Sequence, residues 1–192
     1  MKIEIEIDVL VALSPQDFRD QEALRACDVF RDRGFRVQLA STRSGPVYGM
    51  FGTELVADAA FDWVEPDRYD ALIVIGGTGA QVHLWEHPDL RRIVRSVHER
   101  YGIVAAGSCA STVLARAEVL RGREVTMWHH AETLSELHRA GAQVSQRPVV
   151  VSGNIITLSD SDEATAWAES AAALLVGHAA SRSMAQPSIH AH

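Results

Sequence analysis

Residues 3–13, IEIEIDVLVAL, alternate apolar and acidic positions and then turn apolar throughout, the pattern of a strand that enters the interior of a sheet. Ser14 and Pro15 break the run. Beyond them Ala23, Leu24, Cys27 and Phe30 recur at three- to four-residue steps and Gly34 follows as a stop, which predicts a helix over roughly 18–33. FRVQLAS (35–41) predicts a second strand, and the Gly-rich section up to about residue 65 has turn signals for a short hairpin or two. YDALIVIGG (69–77) is an apolar run closed by glycines, as a parallel strand buried on both faces requires. In HPDLRRIVRSVHER (87–100), Leu90, Ile93, Val94 and Val97 share one helical face and the arginines take the other. GIVAAGSC (102–109) predicts the next buried strand, ASTVLARAEVL (110–120) a helix and GREVTMW (122–128) a further strand. A helix over 131–140, strands near 148–151 and 154–158 and an alanine-rich helix over about 161–177 complete the set. This alternation predicts an α/β fold with a doubly wound, mostly parallel sheet sandwiched by helices.

Length and composition narrow the picture. At 192 residues, 47% hydrophobic and 22% charged, the chain suits one well-cored domain, expected over 1–178. The end, SRSMAQPSIHAH, carries no apolar period, so 179–192 are expected to form a flexible tail. A net charge of -7 without a lysine and arginine stripe argues against nucleic acid as a partner. No stretch is apolar for long enough to cross a bilayer, so no membrane partner is expected either. The start has charges inside its apolar run and no small-residue cleavage site, and a cytoplasmic location is the expectation. Cys27 and Cys109 read as free thiols, no zinc-type spacing occurs, and neither metal nor cofactor is expected.

The chemistry concentrates where IVAAG meets SCAST. Ligands collect at the carboxyl ends of strands in an open parallel sheet, and Cys109 falls there. A sharp strand-to-helix turn flanked by small residues, here Gly107, Ala110 and Ser111, has the makings of a nucleophile elbow. A helix starting near residue 110 would aim its unpaired N–H groups at the sulfur and favour thiolate. A free cysteine is also a good small apolar filler at a crowded turn, and the residues alone leave both readings open.

YDALIVIGGTGA, LWEHPDL, VAAGSCASTVLARAEVLRGREVT and PVVVSGNIIT together resemble the ThiJ/PfpI superfamily, relatives of the class I glutamine amidotransferase fold. The resemblance covers most of residues 3–177 and implies a flavodoxin-like sheet, a cofactor-free enzyme, a small-molecule substrate and a homodimer. It implies a nucleophile at Cys109 and an acid in the first turn of helix one at Glu22, with Asp17 and Asp20 as competitors if the count slips. A carboxyl beside a thiolate would be held protonated and could donate its proton. The backbone of Gly77 and Ala110 matches the family's oxyanion-hole donors, although Gly76 and Gly77 also suit a tight turn.

Departures from the family pattern sort the activities. Peptidase-like members carry histidine after the cysteine where this chain has Ala110, which argues against a peptidase. The histidine that ends the following strand in the deglycase and glyoxalase branch falls at Trp128 in register, so His129 or His130 would supply a base after a one-residue shift. Asp160 and Asp162 could face the same cleft or cap the last helix. Trp85 and His87 could line the pocket or a subunit contact, and Cys27 reads as core packing. The leading expectation is a cysteine-dependent hydrolase or lyase acting on a small electrophile such as a 2-oxoaldehyde. An isonitrile-hydratase-like enzyme and a non-enzymatic redox sensor or chaperone-like dimer are the alternatives.

Overall fold

A computed structural model describes residues 6–185, with side chains through residue 181. In chain order the elements are β1 (Asp8–Ala12), β2 (Gln16–Phe18), α1 (Asp20–Asp32), β3 (Arg36–Ser41), β4 (Gly45–Gly49), β5 (Glu54–Ala57), β6 (Ala59–Ala60), β7 (Ala71–Val74) and α2 (Thr78–His83). Then come α3 (Pro88–Glu99), β8 (Ile103–Gly107), α4 (Ser111–Arg116), β9 (Glu124–Val125), α5 (Ala131–Arg139), β10 (Gln143–Val144), β11 (Val149–Ser152), β12 (Ile155–Leu158) and α6 (Ala164–Ala185).

Seven strands form the central sheet in the order β11-β12-β8-β7-β1-β3-β6, parallel throughout except where β11 pairs antiparallel with β12. The strand runs lack polar alternation because both faces are covered. Val9 and Val11 of β1, Ala71 and Ile73 of β7 and Ile103 and Ala105 of β8 pack with the apolar faces of α1 and α6. Their neighbours Leu10, Ala12, Leu72, Val74, Val104 and Ala106 turn the other way, onto Leu90, Ile93, Val94 and Val97 of α3 and onto α4 and α5. A side-chain period of two thus feeds two cores from one set of strands. The result is a mixed α/β fold whose mostly parallel sheet is flanked by helices.

Several boundaries differ from the sequence expectation. The first strand occupies 8–12, and the part expected over residues 3–5 lies outside the described residues. The helix expected over 110–120 stops at Arg116, because Ala117 caps it and Glu118 adopts a left-handed φ of 65°. The strand expected over 122–128 shrinks to β9, which pairs with β10 in a separate two-stranded ribbon. Residues 179–185, expected as tail, continue α6, and 186–192 lie outside the described residues. β2 and α2 escaped the sequence reading because three and six residues are too few to show a period. The hairpin foreseen in the Gly-rich section is the antiparallel pair β4 and β5, joined to β2 in a small sheet.

Candidate active site

The carboxyl ends of β7 and β8 stop side by side, and the first turn of α1 closes over them. The Arg19 N–H donates to the Gly76 carbonyl at 2.9 Å, tying the start of α1 to the end of β7. This brings Glu22, fully buried, between the two strand ends. The space for its carboxyl exists because two neighbours lack side chains. A Cβ on Gly107 would fall 2.0 Å from Glu22 Oε2 and 2.6 Å from its Cδ, and one on Gly76 would stand 2.7 Å from the Gly107 carbonyl and 3.0 Å from Glu22 Oε2.

Three donors converge on that carboxyl. The Gly76 N–H donates to Oε2 at 2.8 Å, and the Ser161 hydroxyl donates to Oε1 at 3.2 Å. The Ser108 hydroxyl also donates to Oε1. Burial pushes the Glu22 carboxyl above the usual range, and the hydrogen bonds from Ser108, Gly76 and Ser161 together with the Arg19 charge only partly oppose it. Arg19 reaches the group indirectly, its Nε donating to Ser161 Oγ at 2.9 Å.

The corner residue itself is Ser108. β8 ends at Gly107, a single 3-10 turn spans Ser108–Ala110, and α4 begins at Ser111. Ser108 carries a left-handed φ of 47°, which an L-residue adopts only where its surroundings impose it. Its carbonyl accepts from Ser111 Oγ at 3.1 Å, which closes the turn. The sequence reading placed Cys109 at the apex with Glu22 on its sulfur. The structure corrects this by one residue: Glu22 holds the serine, and Cys109 follows it.

Cys109 faces a different set of groups. Its Sγ donates to the Gly77 carbonyl at 3.1 Å, and its own carbonyl accepts the Trp85 indole N–H at 3.0 Å. Burial and then the charge of Glu22 push the thiol up to about 11, and nearby backbone of Gly77 and Cys109 offsets little of that. The expected helix-stabilised thiolate is therefore absent. A six-residue α4 set off by a 3-10 turn contributes too little dipole against that burial.

Both side chains open onto a cavity of about 270 Å³ that Gly77, Trp128, His130, Ser161 and Arg19 also line. A cavity of about 290 Å³ near Tyr69, Tyr101 and Leu175, at the amino ends of β7 and β8, contains none of this chemistry. His130 Nδ1 is buried with no hydrogen-bond partner among the described residues. His129 is exposed and does not line the cavity, so of the two expected bases only His130 reaches it. Trp128 is half exposed at its rim. Trp85, expected as pocket lining, is buried behind it: its ring meets His130 edge-on at 6.1 Å, and the Arg116 guanidinium lies 5.3 Å over its face. One indole thus braces Cys109 and His130 together.

The remaining candidates lie elsewhere. Ala110, expected as an oxyanion donor, is fully buried and does not line the cavity; with Ser108 at the corner, the following N–H belongs to Cys109. Gly77 does border the sulfur, with a φ of 106° and a neighbouring Asp17 carbonyl that exclude any side chain there. Asp160 is exposed, and its carboxylate caps the turn before α6 by accepting from the Asp162 N–H at 3.0 Å. Asp162 is exposed as well. Asp17 points to solvent, while Asp20 accepts from Phe51 N–H at 3.0 Å and Thr53 N–H at 2.9 Å and so anchors the β4–β5 turn. His87 packs edge-on to Phe61 at 5.0 Å, and burial lowers its pKa. Cys27 sits in the core against α6, where burial pushes its thiol up to about 11. Among the described residues no cluster of three or more His, Cys, Asp or Glu could hold a metal ion, and no helix is long and apolar enough to cross a membrane.

Sequence reasoning missed Ser108, Ser161 and Arg19. The signal for Ser108 was present: the apolar run IVAAG ends at Gly107, so the next residue takes the corner. Ser161 and Arg19 come from segments far apart in sequence, and no spacing joins them.

A parallel sheet with a strained strand-to-helix corner standing over a buried carboxyl from the first helix defines a class of α/β proteins built around one strand-end pocket. Residues 8–174 match the DJ-1/PfpI family, and the chain belongs to it. It is 36% identical over 156 residues to the uncharacterized protein MJ0967 of Methanocaldococcus jannaschii, covering 81% of this chain and 76% of that one. Deglycase PfpI of Pyrococcus furiosus is 30% identical over 159 residues, 82% of this chain and 93% of its own. The crystal structure of a ThiJ/PfpI domain protein from Brachyspira murdochii superposes with a TM-score of 0.84 at 25% identity, covering 90% of this chain and 98% of that one.

Proposed function

We propose that this protein is a cofactor-free enzyme of the deglycase and glyoxalase type, in which the Cys109 thiol adds to a small aldehyde bound in the strand-end cavity. The observation that carries the reading is the shared wall of that cavity, which Cys109 and His130 both line and where one indole holds the Cys109 carbonyl and meets the His130 ring. A thiol pushed up to about 11 is protonated at neutral pH, so attack needs a base at hand. His130 supplies one, its Nδ1 free of partners among the described residues.

With methylglyoxal the sulfur bonds to the aldehyde carbon and the thiol proton passes through His130 to the aldehyde oxygen, giving a hemithioacetal. Transfer of the remaining C1 hydrogen to C2, with the hydroxyl proton passing from the C1 oxygen to the C2 oxygen, turns the adduct into a thioester of lactate. Water then cleaves the C–S bond, releasing lactate and restoring the thiol. The deglycase name of a relative covering most of its own length supports a carbonyl substrate. A resting thiol rather than thiolate disfavours the redox-sensor alternative, since peroxide reacts with the ionised sulfur.

The test is lactate production from methylglyoxal by the wild type and by Cys109→Ala. Turnover that falls at least about a hundredfold in the variant supports the reading, on the scale expected for loss of a covalent nucleophile. Undiminished turnover, or none in the wild type, overturns it.

A further inference from the structure

We propose that Ser108 and Glu22 form a second nucleophile and base in this cavity, independent of the thiol, that takes the acyl group of small activated esters. Two nucleophilic side chains open onto the same space, and their hydrogens go to different acceptors. The thiol hydrogen of Cys109 rests on the Gly77 carbonyl, which cannot carry it away as a base does. The hydroxyl hydrogen of Ser108 rests on a carboxyl.

With the carboxyl ionised, as a base must be, its other partners give the direction of that contact. The Gly76 N–H can only donate, so Oε2 accepts. Ser161 Oγ accepts from Arg19 Nε, so its own hydrogen is free to point to Oε1. Both carboxyl oxygens are thus acceptors, which leaves Ser108 as donor, with its oxygen lone pairs free, on the cavity wall. The left-handed φ of 47° at Ser108 adds the geometry of a nucleophile elbow, in which a sharp turn presents the attacking atom and the next N–H faces the developing oxyanion. Here that N–H belongs to Cys109. Arg19, Cys109 and His130 are the other ionisable groups bordering the space. A volume of about 270 Å³ limits the acyl donor to a few heavy atoms beyond the carbonyl.

The step balances without a co-reactant other than water. Ser108 Oγ bonds to the ester carbonyl carbon, its proton moves to Glu22, and the carbon–oxygen bond to the leaving alcohol breaks as that oxygen takes the proton back. Water then adds to the acyl-serine, Glu22 taking and returning its proton, and the free acid leaves.

The probe is 4-nitrophenyl acetate. Acid-quenched wild-type protein is digested and the acetyl group located by mass spectrometry, with a neutral hydroxylamine wash to strip any thioester. The expected result is a hydroxylamine-resistant acetyl group on Ser108, nitrophenol release at least about tenfold slower in Glu22→Gln, and no acetyl group at that position in Ser108→Ala. Acetyl found only on Cys109, only on surface residues, or nowhere overturns the proposal, and that outcome needs no variant to fold. The location of the acetyl group is read apart from lactate formation, so failure of the aldehyde reading and failure of this one are told apart.

Discussion

The Ser108 hydroxyl donates to Glu22 Oε1 across 86 positions of sequence, and this one bond joins the end of β8 to the first turn of α1. Truncating the acceptor leaves the Ser108 and Ser161 hydroxyls and the Gly76 N–H buried without it. Glu22→Ala should therefore cost about 3 kcal/mol of unfolding free energy, at the upper end for an unpaired buried group, and Glu22→Gln about 1 kcal/mol. Urea denaturation with an unchanged slope is the check.

The same carboxyl gives stability a pH dependence of known sign. Its folded pKa is raised by burial, so its contribution is complete below the ordinary carboxyl value and is lost as pH rises through the higher folded value. Glu22→Gln cannot ionise. Its midpoint should gain on the wild type as the pH is raised from acid to neutral, and parallel curves would mean that the carboxyl titrates alike in both states.

Gly107 leaves no room for a side chain. A Cβ there would fall on the Glu22 carboxyl, which has no room to retreat between β7 and β8. Gly107→Ala should lose about 1–3 kcal/mol through overpacking, whereas Gly122→Ala, with nothing near its Cβ, tests only the backbone strain of its φ of 71°. Thermal melts of the two variants separate clash from strain.

The fold was legible because it is written in local runs: VLVA, ALIV and IVAAG are apolar without alternation, and that alone implies strands covered on both faces. Glu22 was placed correctly in the first turn of α1. Its partner was not, because a shift of one residue at a corner changes no periodicity and only the backbone φ of Ser108 reveals it. The acidity of Cys109 was misjudged for a related reason. Helix dipole and small neighbours can be read from a sequence, but the burial that outweighs them is set by tertiary packing, and the charge that adds to it comes from Glu22, far away in the chain.

Alkylation reads that burial directly. With its thiol pushed up to about 11, Cys109 should react with iodoacetamide at a rate that keeps rising beyond pH 9, with no plateau near neutrality. Cys27, at 3% exposure, should stay unmodified in the native protein. Because the charge of Glu22 is one of the causes of the shift, Glu22→Gln should move the Cys109 curve to lower pH. Peptide mass spectrometry over a pH series gives both curves, and an unmoved one would place the whole effect in desolvation.

Trp85 offers the sharpest separation of structure from chemistry. Phenylalanine at this position keeps a ring against His130 and Arg116 but removes the N–H that holds the Cys109 carbonyl. That single lost bond should cost about 1 kcal/mol in stability. Its larger effect should be on geometry, since it frees the backbone that carries the proposed nucleophile beside the proposed base, and kcat on methylglyoxal should fall about tenfold with KM nearly unchanged. His130→Gln should lower kcat at least as far, and His129→Gln, altering an exposed side chain outside the cavity, should leave it within about twofold. Equal losses from the two histidine variants would show that the wrong ring had been taken as the base.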